Sequence, residues 1–337
     1  MKHTSLTQMI KDTTHTLLNC CNDYELMKKS VDEMYQTFRT ITSISIDDFN
    51  KDTDIILPQG KAISSIAAAH CLLEMKRTAV FLRGINKAVL ERLKETQNDT
   101  IRILYAGTGP YGTLIVPLLL LYKPQDITVD ILDINPISLV AIQKVIKALT
   151  LDPYIGEIYC TDAVSFTVEH DYDIVISETM QSCLKSEPQV AIMQNLIPQV
   201  SKQCIFIPEE ISIDAYLTNP KMEQDHLFHY DGKKPTFRRI ALGNVFKVNK
   251  DNLDATRMRN RIIIPTDKET FPLLKLFTTV TVFENEILHE NDSSITLPIK
   301  FHDFRKEDAD EMEFKYIQGV KPKIESRIIK QDKTVII

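Results

Sequence analysis

Residues 101–114, IRILYAGTGPYGTL, run an apolar strand-like stretch into a glycine-rich turn, and residues 127–133, ITVDILD, repeat the stretch and end it on Asp133. The chain has only nine glycines, and Gly107, Gly109 and Gly112 fall within six residues. Glycine costs backbone entropy, so such clustering marks a chain that must turn tightly or approach something closely. A turn after a strand and before a helix, expected here to start at Gly112, lets backbone N–H groups and the helix N-terminus face a polar ligand. Asp133 lies 21 residues past Gly112, where an acid can accept both ribose hydroxyls of a nucleotide. Asp162, in YCTDAV after the next strand-like run, is placed to reach an adenine amino group. A dinucleotide and S-adenosylmethionine both fit this pattern, and the glycines alone do not choose between them.

Outward from this stretch, residues 101–207 alternate short apolar runs with helical patterns: IRILYA, ITVDIL, a helix from Pro136 to Leu149, GEIYC, YDIVIS, a helix from Pro188, and CIFIP. Strands alternating with helices imply βαβ units and a parallel sheet. Before them, Ile63 to Leu90 reads as a long helical stretch, divided in two. Residues 1–60 carry helical apolar spacing (Met9, Leu17, Leu26, Met27, Met34, Phe38) and end at the turn Pro58-Gln59-Gly60. From Ile211 the texture becomes β-rich, as in ISIDAYL, IALGNVFKV and FTTVTVFENEIL. The expected organisation is α/β: a helical module over 1–60, a Rossmann-like nucleotide-binding domain over 61–209, and a barrel-like, β-rich substrate domain over 210–337.

Composition narrows the partners. With 337 residues and a net charge of −6, the chain lacks the basic field of a nucleic-acid binder. Its first residues, MKHTSLTQMIKDTTHT, hold no apolar h-region of a signal peptide. The longest apolar run, Leu114–Tyr122, is interrupted by Pro117 and falls far short of the ~20 residues that span a bilayer. Six cysteines (Cys20, Cys21, Cys71, Cys160, Cys183, Cys204) form no CxxC pair and read as reduced thiols in a cytoplasmic protein. His226 and His229 have ligand-like spacing, but nothing nearby completes a shell, so no metal is expected.

The segment YDIVISETMQSCLKSEP adds chemistry. Glu178 closes the fourth strand-like run, on the carboxyl edge where open α/β sheets hold ligands. Glu187 follows nine residues later. On a continuous helix nine residues rotate by about 900°, which points the two carboxylates to opposite sides. They meet only if residues 179–186 double back as a loop, and Pro188 supports that by favouring an extended residue before it and a helix after it. Converging carboxylates repel unless a cation lies between them, and a planar guanidinium with its fork of N–H donors is a natural guest. Singly, each glutamate reads as well as a solvated strand end or a helix start favoured by the dipole. Together with the nucleotide-type turn they read as an acid pair.

At this point a family resemblance is plain. SETMQSCLKSE resembles the double-glutamate loop of the arginine N-methyltransferases, with the same Ser-Glu start, a Met two residues on and the second Glu at the same spacing. LLEMKRTAVF is similar to that family's helix with an acidic residue and Arg-Thr, AGTGPYGTL to its first cofactor motif, and IPEEISIDAYL to its passage into the β-barrel. The likeness runs from about residue 63 to 217 and more loosely to about 302. It implies S-adenosylmethionine as cofactor, with Arg77 on its methionine carboxylate, Gly107, Gly109 and Gly112 in the cofactor loop, Asp133 on the ribose and Asp162 beside the adenine. It also implies Glu178 and Glu187 as the catalytic acid pair and a homodimer.

The departures are informative. The family's Thr-His-Trp loop is missing, since the chain has no Trp and the nearest stretch, SSITLPI, offers only Thr296. The N-terminal aromatic motif is not visible, and the helical dimerisation arm is hard to find between 218 and 260. A changed acceptor follows, and the chain looks closer to bacterial enzymes that methylate free arginine in natural-product pathways. For the far end of such an acceptor, Lys61, Arg238 and Arg239 are candidates. The alternatives are a methyltransferase of protein arginine or another small amine, an NAD(P)-dependent reductase, and a silent methyltransferase-like binding module.

Overall fold

Side-chain caps define the two helices that open the chain. Helix α1 (Leu6–Asn19) starts where the Ser5 hydroxyl accepts the Gln8 N–H, and α2 (Tyr24–Thr42) where Asp23 accepts that of Leu26. Met27, Val31, Met34, Tyr35 and Phe38 recur at helical spacing on α2 and are buried. In the computed structural model, residues 5–20, 23–45, 53–95, 100–228, 238–254 and 259–329 are described, with the side chains of 225–228 excepted. The α1–α2 pair does not stand apart: its apolar side chains join one continuous hydrophobic core with the rest of the chain. Tyr111, fully buried just after the glycine turn, stacks on Phe38 and donates its hydroxyl to the Ile44 carbonyl at 2.8 Å.

A short hairpin of β1 (Ile55–Leu57) and β2 (Gly60–Ala62) follows, crossing the boundary expected at residue 60. Then come α3 (Ser65–His70) and the long α4 (Met75–Glu95), which carries Arg77 in its first turn. The central sheet holds β3 (Ile101–Ala106), β4 (Ile127–Asp133), β5 (Ile155–Cys160), β6 (Ile174–Ser177) and β7 (Ile205–Ile207) in the order β5-β4-β3-β6-β7, all parallel. Between them lie α5 (Val116–Leu119), α6 (Pro136–Ala148) and α7 (Gln189–Leu196). The helix expected from Gly112 shrinks to the single turn of α5. Residues 112–115 form hydrogen-bonded turns instead, and Pro124 hastens the exit towards β4.

Beyond β7 the chain is almost wholly β. Strands β8 (Glu210–Thr218), β9 (Ile240–Asn249), β11 (Leu273–Phe283), β12 (Glu286–Leu288) and β13 (Ile299–Asp303) form one antiparallel sheet; β10 (Arg259–Ile263), β14 (Glu311–Ile317) and β15 (Lys323–Ile329) form another. Among the described residues one α-helix, α8 (Pro220–Phe228), and two short 3-10 turns interrupt them. The β-rich part docks on α4, where Gly84 leaves room for Val282: a Cβ there would lie 2.5 Å from its Cγ1. Arg83 and Lys87 on the same helix pair with Glu286 at 2.8 and 2.6 Å. Among the described residues no helix is long and apolar enough to cross a membrane.

Candidate functional site

Strand register builds the site. Ala106 on β3 pairs with Leu132 on β4 and with Ser177 on β6, so Gly107, Asp133 and Glu178 emerge side by side at one sheet edge. That edge opens into a cavity of about 1020 Å³. Gly107 and Gly109 on its wall have φ of +78° and +62°, the left-handed region that glycine enters without steric cost. A Cβ on Gly107 would press to 2.5 Å from Thr179 Cγ2. Asp133 holds the turn in shape, accepting the Gly109 N–H and the Asn135 N–H at 2.8 Å each. Burial nonetheless pushes its carboxyl above the usual range. Asp162 lines the same cavity and accepts the Val164 N–H at 2.9 Å.

Residues 179–186 do double back. Ser182–Leu184 make a single 3-10 turn, and Cys183, Leu184 and Ser186 all take positive φ. Each such non-glycine conformation costs of order 1–2 kcal/mol. The β-rich part holds them there. Thr278 Oγ1 accepts the Cys183 N–H at 2.9 Å, and the Leu184 carbonyl accepts the Tyr316 hydroxyl at 2.9 Å. The Pro322 carbonyl takes the Ser186 N–H at 2.9 Å, and the Leu297 carbonyl takes the Ser182 hydroxyl at 2.5 Å. At the loop's start, the buried Gln189 receives the Thr179 N–H and returns its own amide N–H to the Ser177 carbonyl at 3.0 Å. Glu178 and Glu187 thereby share one cavity wall.

The electrostatics are unbalanced. Arg77 donates to Glu74 Oε2 at 2.9 Å and to Glu178 Oε2. Burial alone would lower its pKa, but the Glu178 charge and the other neighbours raise it above the usual guanidinium value. Glu74 is partly buried, yet Arg77 and the Ser294 N–H, at 3.0 Å, bring its carboxyl below the usual range. Burial pushes Glu178 up against the pull of Arg77, and its Oε1 is buried without a hydrogen-bond partner. Burial and then the Glu178 charge push Glu187 up to about 7. Glu74 and Glu178 thus contact the Arg77 guanidinium directly, whereas Glu187 feels it, and the Lys61 charge, only through space. A second cation would satisfy the bare oxygen and ease the repulsion.

Seven of the eight expected site residues, Arg77, Gly107, Gly109, Asp133, Asp162, Glu178 and Glu187, line this cavity. Gly112 does not. Its φ is +58°, and a Cβ there would lie 2.7 Å from Ile142 Cδ1 and from Val116 Cγ2, so it serves close packing beneath the turn. Lys61 reaches the cavity wall. Arg239 is engaged elsewhere, by Glu223 at 2.9 Å and Glu290 at 2.5 Å over the Phe277 ring, and Arg238 stacks on Phe271. His229 and the His226 side chain lie outside the described residues, as does Cys21. Sequence reasoning missed the β1–β2 hairpin in the wall and Gln189. Neither carries a local signal, since a Gln after Pro188 looks like any first-turn helix residue.

No protein-family model and no curated protein matches the chain. Among solved structures, the Trypanosoma brucei PRMT1 enzyme-prozyme heterotetrameric complex with AdoHcy is similar over 79% of this chain and 94% of its own, at 12% identity and a TM-score of 0.50. PRMT6 is similar over 78% of this chain and 99% of its own, at 12% identity and a TM-score of 0.53. PRMT6-SAH covers 78% of this chain and 100% of its own, at 12% identity and a TM-score of 0.52. The chain therefore has the fold of these structures, a Rossmann-like parallel sheet followed by a β-barrel-like domain.

Proposed function

We propose that the protein is an S-adenosylmethionine-dependent N-methyltransferase acting on the guanidino group of free L-arginine, of the bacterial metabolite-modifying kind, and works as a cytoplasmic homodimer. The observation that carries this reading is the convergence of Glu178 and Glu187 in the cavity of Gly107, Gly109 and Asp133, with one Glu178 oxygen unpartnered. The fold likeness to PRMT1 and PRMT6, two of whose structures hold AdoHcy or SAH, supports the same cofactor class.

The wall fits such a cofactor. Gly107 and Gly109 leave their backbone bare to an adenosyl group, Asp133 stands where a ribose would need acceptors, and Asp162 lies further along the edge. Arg77, with five N–H donors, would hold a carboxylate beside its two glutamates. When bound, S-adenosylmethionine supplies a methyl group activated by a sulfonium.

A guanidinium, with pKa above ~12, is a poor nucleophile, so the protein's part is orientation and charge. Glu178 Oε1 and the Glu187 carboxylate would take two N–H groups of the substrate and draw positive charge towards themselves. The third nitrogen is then left free to point at the methyl carbon. The methyl group would pass to that nitrogen with S-adenosylhomocysteine as the leaving group, and the nitrogen would give up one proton. One of the two glutamates, or a water beyond it, would receive that proton.

The test is a mass-resolved assay offering S-adenosylmethionine with free L-arginine in one tube and an arginine-containing peptide in another. Addition of one methyl mass to free arginine alone is expected. Addition to the peptide alone turns the reading to protein modification, and none on either overturns it.

A further inference from the structure

The cavity wall beside Glu187 carries an ion pair whose lysine charge reaches Glu187 only through space. Lys61 Nζ pairs with Asp54 Oδ2 at 2.5 Å, and both side chains face the cavity, about one-third exposed at 29% and 34%. The pair is anchored by backbone on both sides. Asp54 Oδ1 accepts the Ser64 N–H at 3.0 Å, and the Lys61 N–H reaches the Ser186 carbonyl at 2.8 Å. Gly60, next to Lys61, lies so close to the glutamate loop that a Cβ there would be 2.9 Å from the Pro188 nitrogen and 3.0 Å from the Glu187 carbonyl carbon. A fixed pair of opposite charges therefore stands one hairpin residue away from the chain that carries Glu187.

We infer that Asp54 and Lys61 form a head-group site for the α-ammonium and α-carboxylate of a free amino acid. This deepens the proposed function and rests on its placing a guanidinium between Glu178 and Glu187. An α-amino acid carries opposite charges on one carbon, and a side-by-side Lys–Asp pair, with Nζ and Oδ2 2.5 Å apart, offers the reverse pattern. Lys61 has three donors and gives one to Asp54, leaving others for a carboxylate; Asp54 has acceptor capacity left for an ammonium. A peptidyl arginine has neutral amides at both positions and gains nothing there. The methionyl end of the cofactor has the same head-group chemistry, so the test separates the two sources.

Calorimetric binding to the full chain, with S-adenosylhomocysteine present, would compare L-arginine, agmatine (no carboxylate) and 5-guanidinopentanoate (no α-amine). L-Arginine is expected to bind about tenfold or more tightly than either analogue, as loss of a charged hydrogen-bond partner implies. At a pH well above 7, where Glu187 is ionised with or without the nearby lysine charge, Lys61→Met should weaken L-arginine and guanidinopentanoate by a similar factor and leave agmatine unchanged. Asp54→Asn should weaken L-arginine and agmatine and leave guanidinopentanoate unchanged. S-adenosylhomocysteine affinity, measured alone, should hold in both variants, which also shows that they are folded. Equal binding of all three guanidines, no binding of L-arginine, uniform weakening across ligands, or a loss confined to S-adenosylhomocysteine would each overturn the head-group site. The expected binding pattern without methyl transfer instead overturns the proposed reaction and leaves the site standing.

Discussion

The Gln189 side chain accepts the backbone N–H of Thr179 on Oε1 at 2.8 Å, and the Thr179 hydroxyl at 3.1 Å on the same oxygen. Its Nε2 donates to the Ser177 carbonyl. One buried amide thus grips the chain immediately before and immediately after Glu178, and fixes the direction in which that glutamate leaves the strand.

Gln189→Ala should therefore act through position. It leaves the Thr179 N–H and the Ser177 carbonyl unsatisfied, at about 1–3 kcal/mol. The expected signature is a kcat drop of about tenfold or more with little change in S-adenosylhomocysteine affinity, read by steady-state kinetics and calorimetry. A variant that loses stability but keeps full kcat would show that Gln189 only packs.

Glu178→Gln removes a charge that lines the cavity and neutralises Arg77, the one proposed to face the guanidinium. Loss of a preorganised electrostatic contact of this kind costs about 10²–10³ in kcat. Stopped-time mass spectrometry on free arginine would register it, while S-adenosylhomocysteine still binds. Retained turnover would remove Glu178 from the mechanism.

Glu187 makes the site sensitive to pH. Burial and the Glu178 charge raise its carboxyl to about 7, and the ionised form is the one that binds a guanidinium. At subsaturating arginine the rate should rise with pH through about 7, and Glu187→Gln should erase that limb. The folded pKa lies above the ordinary carboxylate value, so folding binds this proton more tightly than the unfolded chain does. The ligand-free protein therefore loses stability from this group as pH rises from about 4.5 through about 7. Glu187→Gln relieves that cost. Its melting temperature should exceed the parent's at pH 8 by on the order of 2 °C or more, with the gap closing near pH 4.5.

Two glycines of the same turn should separate. Gly112→Ala meets Ile142 and Val116 side chains beneath the turn, so it should destabilise by about 1–3 kcal/mol and leave the cofactor affinity of the folded protein intact. Gly109→Ala puts its methyl group on the cavity wall, 3.3 Å from Ala68 Cβ. It should weaken S-adenosylhomocysteine binding about tenfold or more by calorimetry. Equal effects on affinity would mean that the turn acts as one unit.

The parallel sheet and its acidic edge were legible because three of its strands are mostly apolar runs that end on or just before a candidate site residue: Ile101–Ala106 before Gly107, Ile127–Asp133 on the acid itself, Ile174–Ser177 before Glu178. The doubling back of residues 179–186 was legible from the impossibility of a helix joining the two glutamates. What stayed hidden depends on partners far away in sequence. Three short residues of β1 and three of β2 show no helical or alternating pattern, and only contact with Ser186–Pro188 reveals their place in the wall. Gly112 looked identical to its two neighbours, since a glycine needed for packing and one needed for a ligand are the same letter. The helix after it was overestimated because Val116–Leu119 continues an apolar run that turns soon afterwards.

The hydrogen bond from the Tyr316 hydroxyl to the Leu184 carbonyl joins residues 132 positions apart, and the Pro322 carbonyl holds Ser186 from a comparable distance. During synthesis, the parallel sheet has all its strands once β7 has emerged, whereas the glutamate loop waits for β14 and β15. The acid pair is consequently the last part of the machinery to acquire its shape. A chain that stopped short of β14 would form the parallel sheet without the contacts that hold residues 184–186, and the wall that carries Glu187 would lose its fixed shape.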